Sequence, residues 1–471
     1  MRLSTKVAYN TIVQVISKII ATGLGLAVIA IMARYLGKEG FGQYTIIITF
    51  LSFFAIIADM GLTLVTVQMI SRPGVDQDKI LSNLFSMRLI SAVIFLGLAP
   101  LIIIFFPYDP IIKLGVAVTT LSFFFIALNQ ILVGLFQKNL RMDKVSIAEV
   151  VSRIVLVAGV ALVWRFDLGL INIMTATVVA SAVNFLLHFQ FSRKFVRIKL
   201  RFDFIVWRAI IKRSWPLALT IIFNLIYLKA DTLILSLIKS QSEVGIYGAT
   251  YKVIDVLITF PFMFAGIVLP IMTARWAIGD KSGFKNAMQK SYDVMVIMAF
   301  PLVIGAQFTA KRIMVLVAGQ EFALSGPILR ILILAAGLIF IGCVFAHGVI
   351  AINKQRKMIG AYIFTAVTAL VGYLIFIPEY SYFGAAWVAI YSETVVVIAS
   401  VYLIWRFTKF LPNLEITGKS LLASAIMAAG LYLTAGWNLF IVLSLAVIVY
   451  FTALYVLKGI KKQDIIELMN R

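Results

Sequence analysis

Apolar runs long enough to cross a bilayer recur along the whole chain, and they constrain the fold more than any single motif does. A helix needs about 20 apolar residues to span a hydrocarbon core of about 30 Å. Runs of that order fall at residues 8–33, 41–66, 80–105, 112–136, 145–164 and 168–191, then at 215–238, 244–272, 286–309, 325–352, 357–377 and 383–405, with a last pair at 418–435 and 438–457. The pattern predicts an all-α polytopic membrane protein with about 14 transmembrane helices. Composition agrees, because 62% of the 471 residues are hydrophobic and only 13% are charged, more apolar surface than a soluble core can bury. The basic start, Met1-Arg2-Leu3-Ser4-Thr5-Lys6, leads into a run too long for a signal peptide and followed by no small-x-small cleavage site. It reads as an uncleaved first helix.

A net charge of +22 would suggest nucleic acid in a soluble protein, but here the bases sit in short segments between apolar runs and report topology instead. With the N-terminus in the cytoplasm, 29 of the 42 Lys and Arg fall on the inner side, and seven (Arg34, Lys38, Lys113, Arg165, Lys239, Lys311, Arg312) on the outer side. An error of one helix would scramble that bias. Both termini are therefore expected in the cytoplasm, with no nucleic acid as partner. The seven tryptophans, Trp164, Trp207, Trp215, Trp276, Trp387, Trp405 and Trp437, lie near expected helix ends, as interfacial rings should.

The longest polar interruption, 193–213, holds eight bases (Arg193, Lys194, Arg197, Lys199, Arg201, Arg208, Lys212, Arg213) against one acid, Asp203. Six expected helices precede it and six follow before the last pair, so both halves enter the membrane in the same orientation and parallel repeats are expected. Phe41-Gly42-Gln43-Tyr44 and Val244-Gly245-Ile246-Tyr247 open the second helix of each half. The expected organisation is an N-terminal six-helix lobe at 1–192, a basic cytoplasmic connector at 193–214, a second six-helix lobe at 215–409, and two extra helices with a cytoplasmic tail at 410–471. The connector's charges are expected to meet anionic lipid headgroups.

Twelve charged residues fall at membrane depth: Lys18, Arg88, Arg153, Lys229, Lys252 and Arg330, with Asp59, Glu149, Asp231, Asp255, Asp293 and Glu393. Such charges cost about 2.5–3.5 kcal/mol on insertion scales and face a bundle interior or a wet cavity. Glu149 and Arg153 are four apart and Lys252 and Asp255 three apart, so each pair can meet on its own helix face. Lys229 and Asp231 are two apart and point to different faces. Lys18 and Arg88 have no acid within one helical turn, leaving either an anionic ligand or an interhelical salt bridge. Asp59 and Gly61 are expected to end and turn the second helix, and Arg330 to snorkel to the surface. Pro261, Pro270 and Pro301 fall inside expected helices and predict kinks.

Other chemistry is excluded or unsupported. Cys343 is the single cysteine, which rules out an internal disulfide and a multi-thiolate metal site. His188 and His347 lack ligand spacing and are expected to pack or sit at an interface. Gly418-Lys419-Ser420 has Asn413 where a phosphate loop needs its first glycine, and no strand precedes it. Neither a catalytic constellation, a metal site nor a cofactor is expected, and the chain does not read as an enzyme.

The stretch Tyr35-Leu36-Gly37-Lys38-Glu39-Gly40-Phe41-Gly42-Gln43-Tyr44, followed by Asp59-Met60-Gly61-Leu62, resembles the opening of the polysaccharide biosynthesis proteins, the lipid-linked oligosaccharide flippases of the multidrug/oligosaccharidyl-lipid/polysaccharide (MOP) exporter superfamily. Gly319-Gln320-Glu321-Phe322, Pro327-Ile328-Leu329-Arg330-Ile331-Leu332 and Phe383-Gly384-Ala385-Ala386-Trp387 resemble its later signatures, so the likeness spans the chain. It implies two lobes around a cavity open alternately to each membrane face, and a polyprenyl-diphosphate oligosaccharide cargo for O-antigen, capsule or exopolysaccharide assembly. Lys18, Arg88, Lys229, Lys252 and Arg153 are then the candidate diphosphate or cavity cations. Asp231, Asp255, Asp293 and Glu149 are candidate ion-coupling or cavity acids. Expected partners are the lipid-linked substrate, membrane lipids, and a glycan polymerase or other assembly proteins, around a monomer. The first half holds three membrane-depth bases to two acids and the second three to four, which keeps a drug or metabolite cation antiporter open beside a peptidoglycan-precursor flippase. A membrane-embedded polymerase or ligase is the remaining alternative.

Overall fold

The computed structural model describes residues 3–70 and 76–459. The helices run α1 (Leu3–Asp59), α2 (Leu62–Ile70), α3 (Gln77–Ile102), α4 (Pro110–Lys138), α5 (Met142–Arg165), α6 (Leu170–Ser192), α7 (Phe204–Ile238), α8 (Gln241–Ala277), α9 (Lys281–Ala318), α10 (Ser325–Ala351), α11 (Ile359–Thr408), α12 (Glu415–Leu433) and α13 (Leu439–Val456). Among the described residues there is no strand, and 11 helical segments are long and apolar enough to cross a membrane. The protein is a multi-pass helical membrane protein. The far end of its C-terminal tail, 460–471, and the segment 71–75 lie outside the described residues.

Two pairs of expected helices are continuous elements, each broken at one residue. Gly37 (φ 64°) interrupts α1 and Ser381 (φ 50°) interrupts α11. Glycine enters that half of backbone space without penalty; Ser381 does so at a cost its surroundings must supply. At Ser381 the chain reverses. Tyr391 donates to Thr368 Oγ1 at 3.1 Å, and Gly384 faces the Phe376 carbonyl, pairings only an antiparallel return can make. The second expected helix also ends earlier than its hydropathy implies. It stops at Asp59, where Met60 (φ 48°) and Gly61 (φ 73°) both turn left-handed, and α2 carries the chain onward. By contrast, Pro261 and Pro270 lie within the unbroken α8, and Pro301 within α9.

The chain divides into two compact units, Met1–Gly248 and Ala249–Arg471, with the boundary inside α8. In the first, Leu81, Leu84, Ile131, Leu135 and Phe136 join α3 and α4 in one buried apolar cluster. The repeat motifs noted above meet there: Gly42 on α1 and Gly245 on the head of α8 each abut the other helix's backbone. Gln43 Nε2 donates to Gln241 Oε1 at 2.9 Å beside that crossing.

In the second unit α10 is the central helix, with buried Gly337 against Val303 of α9 and Gly342 against Val397 of α11. Small residues let helices approach closely where lipid supplies no hydrophobic drive. The C-terminal pair packs on α9 through Met427, Val442 and Tyr450, and Tyr450 donates to the Ile297 carbonyl at 2.7 Å. Asp280 caps α9, accepting from the Gly283 amide, the Ser282 hydroxyl and Arg275. These bonds hold its carboxyl below the usual carboxylate range.

Candidate functional site: charges at membrane depth

In the first unit two groups of charges have opposite character. The first centres on Arg88, which α3 presents toward the end of α1 and the middle of α4. Its side chain is buried, with Nη1 2.7 Å from Asp59 Oδ1. Nε donates to the Ala127 carbonyl (3.0 Å), Nη1 to that of Ala58 (3.1 Å), and Nη2 to Gln130 Oε1. Thr63 donates its hydroxyl to Asp59, and Ser91 donates to the same Ala58 carbonyl. Four of the five guanidinium N–H directions are thus spent on protein acceptors. Of the two readings left open for Arg88, the structure contains the interhelical salt bridge. Of the two carbonyls it caps, that of Ala58 belongs to the last turn of α1, where the turn at Met60-Gly61 ends the intrahelical ladder, and that of Ala127 lies within α4. Asp59 therefore both ends its helix and pairs with Arg88.

The second group joins α1 and α5. Lys18 Nζ lies 3.3 Å from Glu149 Oε1, with side-chain exposures of 42% and 28%. The expected same-helix pair of Glu149 with Arg153 is absent, because α1 packs along α5 and brings Lys18 to the carboxylate instead. Arg153 is half-buried and has no hydrogen-bond or ion-pair partner among the described residues. Glu149 thus pairs with one cation, Lys18, at a partly open position, and Arg153, four residues along α5, is left uncompensated. Next to them, Asn184 of α6 donates to Ser152 Oγ at 2.9 Å and accepts from Asn129, extending polar groups across α4, α5 and α6.

The remaining candidates are dispersed. Asp231, on α7, is fully buried and committed: Oδ2 accepts from Tyr247 at 2.7 Å and Oδ1 from the Thr232 amide and hydroxyl. Lys229 is half-buried on the same helix. In the second unit Lys252 and Asp255 are half-buried on α8. Asp293 sits near the start of α12, accepting from Gln289 at 2.8 Å, while Gln289 also donates to the Asn413 carbonyl. Arg330 is exposed near the start of α10. Glu393, not among the candidates, is buried on α11 and has no hydrogen-bond or ion-pair partner among the described residues.

The profile of the polysaccharide biosynthesis protein family matches residues 7–276, more than half of the chain. The chain belongs to that family. A probable low-salt glycan biosynthesis flippase, Agl15 of Haloferax volcanii, is 22% identical over 428 residues, which is 90% of this chain and 89% of that one. The lipopolysaccharide biosynthesis protein WzxC of Escherichia coli is 23% identical over 327 residues, 67% of this chain and 64% of that one. The fold is shared with the lipid II flippase MurJ in an inward closed conformation (TM-score 0.76, 17% identity, covering 98% of this chain and 100% of that one). It is shared too with an inward-facing MATE family transporter of the MOP superfamily (TM-score 0.66, 15% identity, 90% and 99% covered).

Proposed function

We propose that the protein flips a polyprenyl-diphosphate-linked oligosaccharide across the cytoplasmic membrane by alternating access, for cell-surface polysaccharide assembly. The activity is transport, without a catalytic step. The observation that carries this reading is the partly open Lys18–Glu149 pair with the half-buried, unpaired Arg153 four residues along α5, in a member of this family. A diphosphate crossing a low-dielectric slab needs compensating charge and hydrogen-bond donors. Lys18 and Arg153 supply both, and Lys229 and Lys252 are secondary contacts. Arg88 has the structural part of joining α1, α3 and α4. The names of Agl15 and WzxC, glycan biosynthesis and lipopolysaccharide biosynthesis proteins, support the substrate class.

The architecture we assign counts α1 and α11 as two crossings each and takes α2 with the second half of α1, giving six helices, six helices and a final pair. That arrangement supports lobes at 1–192 and 215–409 joined by the connector 193–214, both termini in the cytoplasm, and a monomer handing its cargo to a glycan polymerase. Asp231, Asp255, Asp293 and Glu149 are the groups assigned to ion coupling. The test is flipping of a fluorescent polyprenyl-diphosphate oligosaccharide in proteoliposomes. Replacing Lys18 and Arg153 by Ala should slow flipping severely while thermal stability holds; an unchanged rate overturns the assignment. Rates indifferent to both proton and sodium gradients remove the coupling role.

A further inference from the structure

The basic connector between α6 and α7 is strapped onto α3 by its own backbone. The Lys199 amide donates to Ser82 Oγ (3.2 Å), that of Arg201 to Ser86 Oγ (2.9 Å) and that of Asp203 to Asn83 Oδ1 (2.9 Å). Asn83 Oδ1 also accepts from Trp207 Nε1 at 3.1 Å. Amides at every second residue are thus held by one face of one helix, and an extended chain puts side chains of alternate residues on one side. Arg197, Lys199 and Arg201 share such a side, and all three are exposed.

The first turns of α7 continue the pattern. α7 has 35 residues, well beyond the ~20 a crossing needs, so its head overhangs the hydrocarbon core. Val206, Trp207 and Ile210 pack inward on the apolar cluster of α3 and α4. The opposite stripe carries Arg208 and Lys212, both exposed, beside Phe204 (76% exposed) and Ile205 (85%). The single acid, Asp203, is already taken by Lys79 at 2.8 Å. Arg197, Lys199, Arg201, Arg208 and Lys212 have no ion pair or side-chain hydrogen bond among the described residues. Five uncompensated cations on a fixed backbone thus lie among outward apolar side chains.

The geometry points to a built site for an anionic glycerophospholipid, whose phosphate meets the cations at 197–201 and 208–212 while an acyl chain covers Phe204 and Ile205. A free diphosphate would satisfy the cations but leave Phe204, Ile205 and Leu200 in water. A leaflet lipid satisfies both. The strap matters because cations on a mobile loop would lose backbone entropy on binding as well as side-chain entropy, whereas here the backbone is already held. The site is independent of the cargo proposed above.

The test titrates the detergent-purified full chain with short-chain phosphatidylglycerol or phosphatidylcholine, reading bound lipid by native mass spectrometry. Wild type should retain phosphatidylglycerol in preference. The triple variant Arg197→Gln, Lys199→Gln, Arg201→Gln should bind it about a hundredfold more weakly, at roughly fivefold per base. A control removing the same charge elsewhere, Lys281→Gln, Lys285→Gln, Arg356→Gln, should not. Equal binding by triple variant and wild type, equal loss in the control, or displacement of the lipid by inorganic pyrophosphate at equal concentration each overturns the site. If the triple variant does not fold, Leu200→Ser with Ile205→Ser carries the test, and unchanged phosphatidylglycerol retention by that pair overturns the proposal equally.

Discussion

Gly42 and Gly245 face one another where α1 crosses the head of α8: a Cβ on Gly42 would lie 1.8 Å from the Gln241 carbonyl oxygen, and one on Gly245 1.8 Å from that of Lys38. Neither obstacle is a side chain that could rotate away. Gly42→Ala or Gly245→Ala must therefore push the helices apart, at about 1–3 kcal/mol for overpacking, visible as a lower melting temperature in detergent. Gly248 differs, because its Cβ would meet the Thr45 side chain at 2.4 Å. Gly248→Ala should be largely rescued by Thr45→Ala, whereas Gly25→Ala, with nothing within 4 Å, should be silent.

Arg88 and Asp59 should behave as one unit. Removing either alone leaves a buried charge unpaired, a loss of about 3–5 kcal/mol. The double change Arg88→Met with Asp59→Asn should recover part of it, and a strictly additive double mutant would refute the coupling. Lys18→Ala, at a half-exposed pair, should cost about 1 kcal/mol or less while impairing transport. Stability and flipping rate measured on the same variants separate the two groups.

Acidification should loosen the connector. The Lys79 ammonium, with the amides of Val206 and Ile205, holds the Asp203 carboxyl below the usual carboxylate range. A depressed folded-state value means the contribution is present above the unfolded aspartate value of about 4 and is lost as pH falls through the folded one. Amide exchange at residues 199–207 should accelerate below that window. Asp203→Asn should abolish the pH step, and a step that persists in Asp203→Asn would place its origin elsewhere.

Glu393 offers a test of opposite sign. A buried carboxyl without a partner is a stability cost, so Glu393→Gln should raise the melting temperature, and Glu393→Leu should do so as well. A gain in stability together with a loss of flipping would mark a group kept for function.

Hydropathy sufficed for the all-α, multi-pass fold because a bilayer demands long apolar runs, though not for where α1 and α11 run on through a single residue, and Asp59 and Gly61 were legible as a turn because those residue types end helices. Partners across helices were not. Lys18 and Glu149 are 131 positions apart, and no local spacing links them; the i, i+4 rule pointed to Arg153, which α5 leaves alone. Gln130 and Thr63 carried no signal as parts of the Arg88 group, since uncharged polar residues are ordinary in such helices. Ser82, Asn83 and Ser86 read as unremarkable content of an apolar run, yet together they fix the path of the connector. Their spacing of one helical turn, beside a stretch of alternating bases, was the available clue.

The single-residue reversal at Ser381 bears on how the protein is made. With no loop between its arms, the Ile359–Thr408 element reaches the membrane as one helical hairpin whose halves interlock through Gly384 and Phe376 before later helices exist. Neither arm has to wait unpaired in lipid. A glycosylation or epitope tag inserted at 380–382 would pry that hairpin open, so its effect should be seen first as failed biogenesis, in a chain degraded before it could transport anything.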